Sequence, residues 1–431
     1  MIDTQSKIGK NIFPVYARWW LYKTTGFRHQ RYIDRVRKEN RKFKVVFFAM
    51  NLPMWKYQEL CELLMNDSRF DVTIVLSVGM PYSQEQQLED LRALRNFFQT
   101  RQMPFVDWRL EDGAAPIDVR KELNPDILFY PQPYEYVLHP LHDFLHFYDR
   151  LLAYIPYAFA FTPDKLEYNK RFHNIAWKLY YANEYNLKDA QTIADNKGRN
   201  VVVAGYASAD KFLNAPKKDV WRVQHPEMKK LIWAPHFTIR NDGSPFTLSN
   251  FLWMAEPMLQ LAKTHKDSLH IAMKPHPRLK TELYEHQDWG REKTDAYYAE
   301  WEQMENTQLE VGDFADLFAG SDAMIHDCGS FLCDYLYFKK PVMFVSQHIA
   351  QAKACVNDFG KMAYDMHYIG KTIDDIHRFI EQQVMKGDDP MKEKRDGFFK
   401  AHLLPPQGKT VAQNIYQDML NSLGFREHEG Q

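Results

Sequence analysis

Three short segments place polar side chains just where an apolar run of strand length stops. In residues 233–240 (WAPHFTIR), His236, Thr238 and Arg240 follow the run 231–234. In residues 273–278 (MKPHPR), two prolines fix the backbone and hold His276 between Lys274 and Arg278. Three potential cations within five residues suit a phosphate, Arg gripping two oxygens at once and Lys acting as a point charge. In residues 325–334 (IHDCGSFLCD), a run ends at His326 and is followed by Asp327, Cys328, Gly329 and Ser330. Gly329 permits close backbone approach, Ser330 can cap or donate, and a helix starting there would favour an anion. Each segment alone could be a surface turn or an ordinary helix cap. Together they predict one shared phosphate site. The sequence has no Walker-type loop, no GxGxxG after a strand, no HExxH and no glycosidase-like carboxylate pair. Asp374-Asp375 and Asp388-Asp389 read as helix-start or loop charges, so no metal and no cofactor is expected.

Elements that could position these residues alternate along the chain. Strands are expected at 44–50, 72–77, 105–108, 127–130, 152–159, 179–182 and 201–204. A second series follows at 231–234, 269–274, 323–326 and 342–346. Short continuous apolar runs with helical stretches between them predict parallel sheets buried on both faces. Two such series predict two α/β domains, doubly wound and Rossmann-like, facing a cleft in a GT-B-like arrangement. The expected divisions are an N-terminal helical extension (1–43), an acceptor-side domain (44–213), a linker (214–230), a nucleotide-donor domain (231–408) and a C-terminal helix and tail (409–431). Val411, Ile415, Met419 and Leu423, four apart, carry that last helix.

The 431 residues exceed one ordinary core, and 45% hydrophobic with 26% charged residues is a globular composition. The net charge of −1 hides an asymmetry: residues 1–44 hold twelve Lys or Arg against three acids. Arg28, Arg31, Arg35, Lys38 and Lys42, spaced 3, 4, 3, 4, form a basic stripe on a helix. Pro14 can open that helix, and Val15, Tyr16, Trp19, Trp20 and Tyr22 flank Arg18 and Lys23. Such residues suit an anionic membrane surface. The plainer alternative is an aromatic face packed on the first domain with its charges solvated. The acidic remainder argues against nucleic acid. Cys61, Cys328, Cys333 and Cys355 show neither disulfide nor zinc spacing, which fits a reducing cytosol. No signal peptide and no membrane-spanning run is expected.

At these residues the sequence resembles the CDP-glycerol glycerophosphotransferase family, which includes the teichoic acid polymerases. Asp327-Cys328-Gly329-Ser330 with Asp334, then Lys340-Pro341, is similar to its T-D-Y-S-S-x-x-x-D and Lys-Pro pattern. The lead-in at 313–322, the Lys274–Pro277 segment, Trp233-Ala234-Pro235 and the turn at 203–210 resemble other segments of the family in the same order. The family's Tyr and first Ser are here Cys328 and Gly329. Its first domain carries a W-H-G segment whose His is the implied general base. Here residues 154–161 read YIPYAFAF, without a His.

The resemblance implies transfer of a polyol phosphate from a CDP-linked donor to a hydroxyl of a membrane-linked glycan or polyol acceptor. It implies an enzyme of cell-surface polymer synthesis, cytoplasmic and peripheral on the inner face of the membrane. His276 and Ser330 are assigned to the donor phosphates, Lys274 and Arg278 to charge support, and Gly329 with a helix N-terminus to backbone N–H groups. His236, Thr238 and Arg240 line the same site, and Asp327 orients a neighbour or meets a donor hydroxyl. For the base, Tyr157 takes the place of the missing motif, with Glu135, His139 and His142 as further acceptor-side candidates. His suits neutral pH better than Tyr. A GT-B glycosyltransferase using a nucleotide sugar, and a non-catalytic polymer-binding protein, remain open readings at this point.

Overall fold

The computed structural model describes residues 15–214, 217–223, 225–240, 248–312 and 314–425, with side chains of the first helix from residue 22 onward. Pro14 and Asp313, and the side chains of Val15, Tyr16, Arg18, Trp19 and Trp20, lie outside the described residues. The chain divides into two compact units, one of residues 1–208 and 405–431, the other of residues 209–404.

The first unit is built on a seven-stranded sheet of order β3-β2-β1-β4-β5-β6-β7, every pair parallel. Its strands are β1 (Phe43–Ala49), β2 (Phe70–Leu76), β3 (Phe105–Val106), β4 (Ile127–Tyr130), β5 (Leu151–Tyr154), β6 (Lys178–Tyr181) and β7 (Val201–Val203). Apart from Lys44 near the start of β1, the central strands are apolar along their length because both sheet faces are covered, as parallel sheets require. Phe47 of β1 stacks on Phe129 of β4 with ring centroids 4.5 Å apart. The strand expected over 152–159 stops at Tyr154, two residues before Pro156, which has no N–H for a ladder.

Helix α1 (Val15–Lys38) packs on this unit through Tyr32, Ile33 and Val36, all buried. Tyr32 donates its hydroxyl to Asp126 at 2.7 Å, and Arg41 grips the same buried carboxylate with two N–H groups at 2.6 and 2.9 Å. The expected basic stripe is therefore shorter than its spacing suggested. Arg28 is half-buried and donates to Thr25, and Lys42 lies beyond the helix end, while Arg31, Arg35 and Lys38 are exposed.

The second unit holds a six-stranded sheet of order β10-β9-β8-β11-β12-β13, again all parallel. The strands are β8 (Lys229–Ala234), β9 (Leu269–Met273), β10 (Thr307–Leu309), β11 (Ala323–His326), β12 (Val342–Val345) and β13 (Tyr368–Gly370). The edge strands β10 and β13 were not expected. Each is three residues long, and neither Thr-Gln-Leu nor Tyr-Ile-Gly forms an apolar run. The described part of 214–230, expected as a linker, lies within this unit: Trp221 is buried and donates its indole N–H to the Leu317 carbonyl at 3.1 Å. Residues 405–425 return to the first unit and include helix α2 (Val411–Ser422). Thr410 caps α2 by accepting the Gln413 N–H at 3.1 Å.

Candidate active site

The three chemistry-bearing segments leave three neighbouring strands. β9, β8 and β11 lie side by side, and their register pairs Trp233 with Met273 and Ala234 with His326. The strand ends are level, so residues 235–240, 274–278 and 327–330 emerge together at the carboxyl edge of the second sheet. That edge is where open parallel sheets bind ligands.

Hydrogen bonds tie the loops to one another. The Lys274 N–H donates to the Trp233 carbonyl at 2.7 Å, and the His276 N–H to the Pro235 carbonyl at 3.0 Å. The His236 N–H donates to Asp327 at 2.6 Å, and the Asn250 N–H to the other oxygen of that carboxylate at 2.5 Å. Asp327 is only 2% exposed. Burial pushes its carboxyl up to about 6, against the pull of these N–H donors. The carboxylate clasps two loops. Asn250 completes the clasp and donates its side chain to the Val345 carbonyl at 3.0 Å. Sequence reading missed it, since it stands 77 positions from its partner with no local motif.

The clasp brings the rings of His236 and His276 to 5.1 Å between centroids. His236 Nδ1 lies 2.9 Å from the Thr238 hydroxyl, which itself accepts the Leu248 N–H at 2.9 Å. The Thr238 backbone N–H donates to the same Nδ1 at 3.4 Å. His276 Nδ1 accepts the Arg278 N–H at 3.2 Å. With both Nδ1 atoms accepting, each neutral ring carries its proton on Nε2. Burial first, and nearby positive groups second, hold His236 down to about 3 and His276 to about 4. At neutral pH these are two uncharged N–H donors, although His276 was counted as a potential cation with Lys274 and Arg278.

The cations are distributed differently from the expectation. Lys274 is buried and donates its ammonium to the carbonyls of Gly312 at 2.7 Å and Glu310 at 3.4 Å, bracing the loop after β10. Arg278 is exposed, lies 4.2 Å over the Phe237 ring and pairs with Glu282 at 2.8 Å. Arg240, also exposed, pairs with Glu282 at 3.1 Å and with Glu285. Ser330 is exposed at the loop tip and makes no capping bond; its hydroxyl lies 3.0 Å from the Cys328 sulfur. The helix after it, α-helical only over Phe331–Asp334, is too short for much of a dipole. Gly329 is half-buried, and a Cβ there would meet only Leu248, at 3.4 Å.

In the first unit, His142 is a core residue. It is fully buried, with Nδ1 2.9 Å from the Ser77 hydroxyl and Nε2 3.1 Å from the Ile117 carbonyl, and burial lowers it to about 4. Its ring lies 5.2 Å from Phe48. It has no free nitrogen for an acceptor. His139, half-buried, accepts the Leu141 N–H at 3.2 Å and meets the edge of Trp108. Glu135 faces Arg171 at 3.4 Å, and burial raises its carboxyl. Tyr157 is half-buried in the loop after β5, its phenol raised by burial and by the charge of Glu167. Among the described residues no group of three or more His, Cys, Asp or Glu converges as a metal site, and no described helix is long and apolar enough to cross a membrane.

The sequence profile of the family described as CDP-glycerol:poly(glycerophosphate) glycerophosphotransferase matches residues 158–421, more than half of the chain. No curated protein sequence matches. Among solved structures, the fold is similar to that of MnaA of S. aureus with UDP, at 13% identity and a TM-score of 0.55, covering 90% of this chain and 99% of that one. It is similar to the wall teichoic acid polymerase TagF at 14% identity and a TM-score of 0.54, covering 95% and 98%. UDP-GlcNAc 2-epimerase from Neisseria meningitidis bound to UDP-GlcNAc follows at 12% and 0.51, covering 88% and 99%. At such identities the likeness speaks to the fold alone, two Rossmann-like units of the GT-B class.

Proposed function

This chain belongs to the CDP-glycerol:poly(glycerophosphate) glycerophosphotransferase family, enzymes that move a polyol phosphate from a CDP-linked donor to a membrane-linked acceptor, and from that premise we propose how its residues divide the work. The loops at the carboxyl edge of the second sheet take the donor. His236 and His276 offer Nε2–H groups to the pyrophosphate, and Ser330 offers its hydroxyl. Arg278 and Arg240 exchange carboxylate partners for phosphate oxygens. Gly329 leaves room for the phosphate chain. Lys274 acts at one remove by fixing the loop after β10. The observation that carries this reading is the 5.1 Å pairing of His236 with His276 inside the span that matches the family. Neutral donors in a partly desolvated site stabilise charge on a leaving phosphate without having to be stripped of their own water.

The acceptor side belongs to the first unit, with Tyr157, Glu135 and His139 at the carboxyl edge of its sheet. The protein works at the inner face of the membrane, held there by the basic outer face of α1. Phe27, 66% exposed with Arg31 5.7 Å from its ring, is suited to the interfacial layer. The deciding experiment offers CDP-glycerol, CDP-ribitol and nucleotide sugars with a lipid-linked acceptor. Release of CMP supports the phosphotransferase. Release of a nucleoside diphosphate from a nucleotide sugar, with no CMP from either CDP-polyol, overturns it.

A further inference from the structure

The amino edge of the first sheet holds a cavity of about 470 Å³. The last turns of α1 supply Tyr32 and Arg35 to its wall, the segment before β1 supplies Arg41, and the segments before β4 and β5 supply Asn124 and Arg150. All of them belong to the first unit, at the end of the sheet opposite its carboxyl edge. Two carboxylates, Glu39 and Asp149, complete the lining.

Two of the guanidiniums lack a close counter-ion. Arg150 is only 12% exposed, yet its hydrogen bonds go to neutral oxygens: Nη1 donates to the Tyr32 hydroxyl and Nη2 to the Asn124 side-chain oxygen at 2.8 Å. Its Nε is buried without a hydrogen-bond partner. Among the described residues no carboxylate comes nearer to Arg150 than Asp149, at 4.0 Å, and Arg120 already holds that carboxylate with two N–H groups at 2.9 and 2.8 Å. Arg35 lies 4.5 Å from the centroid of the Tyr32 ring, and Arg150 lies 5.2 Å from the same centroid. The ion partner of Arg35 among the described residues is Glu39, 4.0 Å away and itself bonded to Arg41 at 2.7 Å. Arg41 also grips Asp126. With Asp149 matched by Arg120, and Arg41 shared between Glu39 and Asp126, Arg35 and Arg150 leave the site one positive charge in excess. A guanidinium so nearly buried without a counter-ion is costly, and an anion bound at the two arginines relieves that cost. The Tyr32 ring holds both arginines in place beforehand.

We propose that Arg35 and Arg150 form a phosphate site at the amino edge of the first sheet, and that it takes the phosphodiester headgroup of a membrane lipid. Guanidinium forks match phosphate oxygens two at a time. One positive charge in excess suits a diester, which is singly charged, better than a monoester, at roughly −1.5 to −2. The cavity is larger than a phosphate alone needs, and Asn124 and Glu39 offer hydrogen bonds to the hydroxyls of a polyol headgroup. Arg35 stands four residues after Arg31 and three before Lys38, both exposed, so the basic outer face of α1 runs on to the cavity. The lipid as occupant therefore rests on the reading that this face meets the membrane. The phosphate site itself rests on the cavity and its two arginines.

The test titrates the full-length protein with glycerophosphoglycerol, a soluble phosphodiester, by calorimetry. Excess CMP is present so that the loops proposed to hold the donor add no signal. Arg35→Lys keeps the charge and loses the fork, and because Arg35 is exposed the melting midpoint stays at the wild-type value. Affinity for glycerophosphoglycerol falls roughly tenfold or more, the worth of a charged hydrogen bond. Arg150→Lys shows the same loss, with its melting midpoint reporting separately on the contacts to Tyr32 and Asn124. On vesicles containing phosphatidylglycerol, glycerophosphoglycerol displaces the wild type, and Arg35→Lys partitions several-fold more weakly. Diffuse attraction to a charged surface would treat Arg35→Lys and wild type alike. No affinity of the wild type for glycerophosphoglycerol, or equal affinity in Arg35→Lys, overturns the site. Lost glycerophosphoglycerol affinity with unchanged vesicle binding supports the site and overturns the lipid as its occupant, leaving a soluble phosphodiester.

Discussion

The backbone N–H of His236 donates to the buried carboxylate of Asp327 across 2.6 Å, so the loop after β8 is held by the end of β11. A carboxylate among loops proposed to bind phosphate would ordinarily repel the ligand. This one is turned inward, and its second oxygen holds Asn250. Asp327→Ala would leave two N–H groups without an acceptor, each costing about 1–3 kcal/mol. The expected outcome is a loss of about 2–5 kcal/mol in stability and weaker CDP-glycerol binding. Denaturant melts alongside donor titrations check both, and a variant as stable as wild type would show that the clasp carries no load.

His276→Ala tests the donor side without disturbing the clasp. Pro275 and Pro277 fix the backbone, and the bond from the residue-276 N–H to the Pro235 carbonyl does not use the side chain. CMP release is expected to fall by roughly 10²–10³-fold, as when one donor to a developing anion is removed. The melting midpoint is expected to stay within a few degrees. Wild-type turnover in this variant would remove His276 from the site.

Lys274 and Arg278, four residues apart, should answer in opposite ways. Lys274→Met keeps the volume but leaves the Gly312 carbonyl without its ammonium donor, at about 1–3 kcal/mol of stability. Arg278→Ala is exposed and should change stability by no more than about 0.5 kcal/mol. Yet it should weaken CDP-glycerol binding roughly tenfold or more, the worth of a charged hydrogen bond. If Lys274→Met is the variant that loses donor affinity while keeping full stability, the two roles are reversed.

That contrast also shows where the sequence was legible. All eleven expected strands exist, because buried parallel strands are written as unbroken apolar runs. The three polar segments at strand ends were legible for the same reason. Which way each side chain turns was not. Lys274 and Arg278 look equivalent in the string K-P-H-P-R. Their difference arises because β10, an edge strand of three residues with no apolar run, brings the carbonyls of Glu310 and Gly312 to one of them. Asn250 was invisible because its significance lies in partners supplied by distant loops.

Acid should destabilise the fold well before carboxylates alone would account for it. Burial lowers His29, His173 and His367 to about 3 and His142 to about 4, from 6.5. As pH falls below 6.5 the unfolded chain takes up protons that these folded groups refuse, so stability drops down to about pH 3. Asp90 and Asp327, raised to about 6, and Glu167, raised to about 7, act in the opposite direction, but they are outnumbered once His236 and His276 join the histidines. The melting midpoint is expected to fall between pH 7.5 and 5.5, and a flat profile there would contradict the burial of these rings.

Membrane attachment calls for substitution rather than deletion. Removing residues 1–43 would strip Tyr32, Ile33, Val36 and Phe43 from the packed first unit and unfold what it was meant to test. Arg31 and Lys38 are exposed on the outer face of α1 and enter no ion pair among the described residues, so Arg31→Gln with Lys38→Gln leaves the packed face intact. Each basic residue near an anionic surface contributes about 1 kcal/mol, so the pair should lower partitioning onto phosphatidylserine-containing vesicles roughly thirtyfold at low salt. CDP-glycerol binding should not change, because the loops proposed to hold the donor belong to the second unit. Sedimentation with vesicles of increasing anionic fraction reads the effect directly. Equal binding by wild type and the double variant would assign these charges to solvation alone.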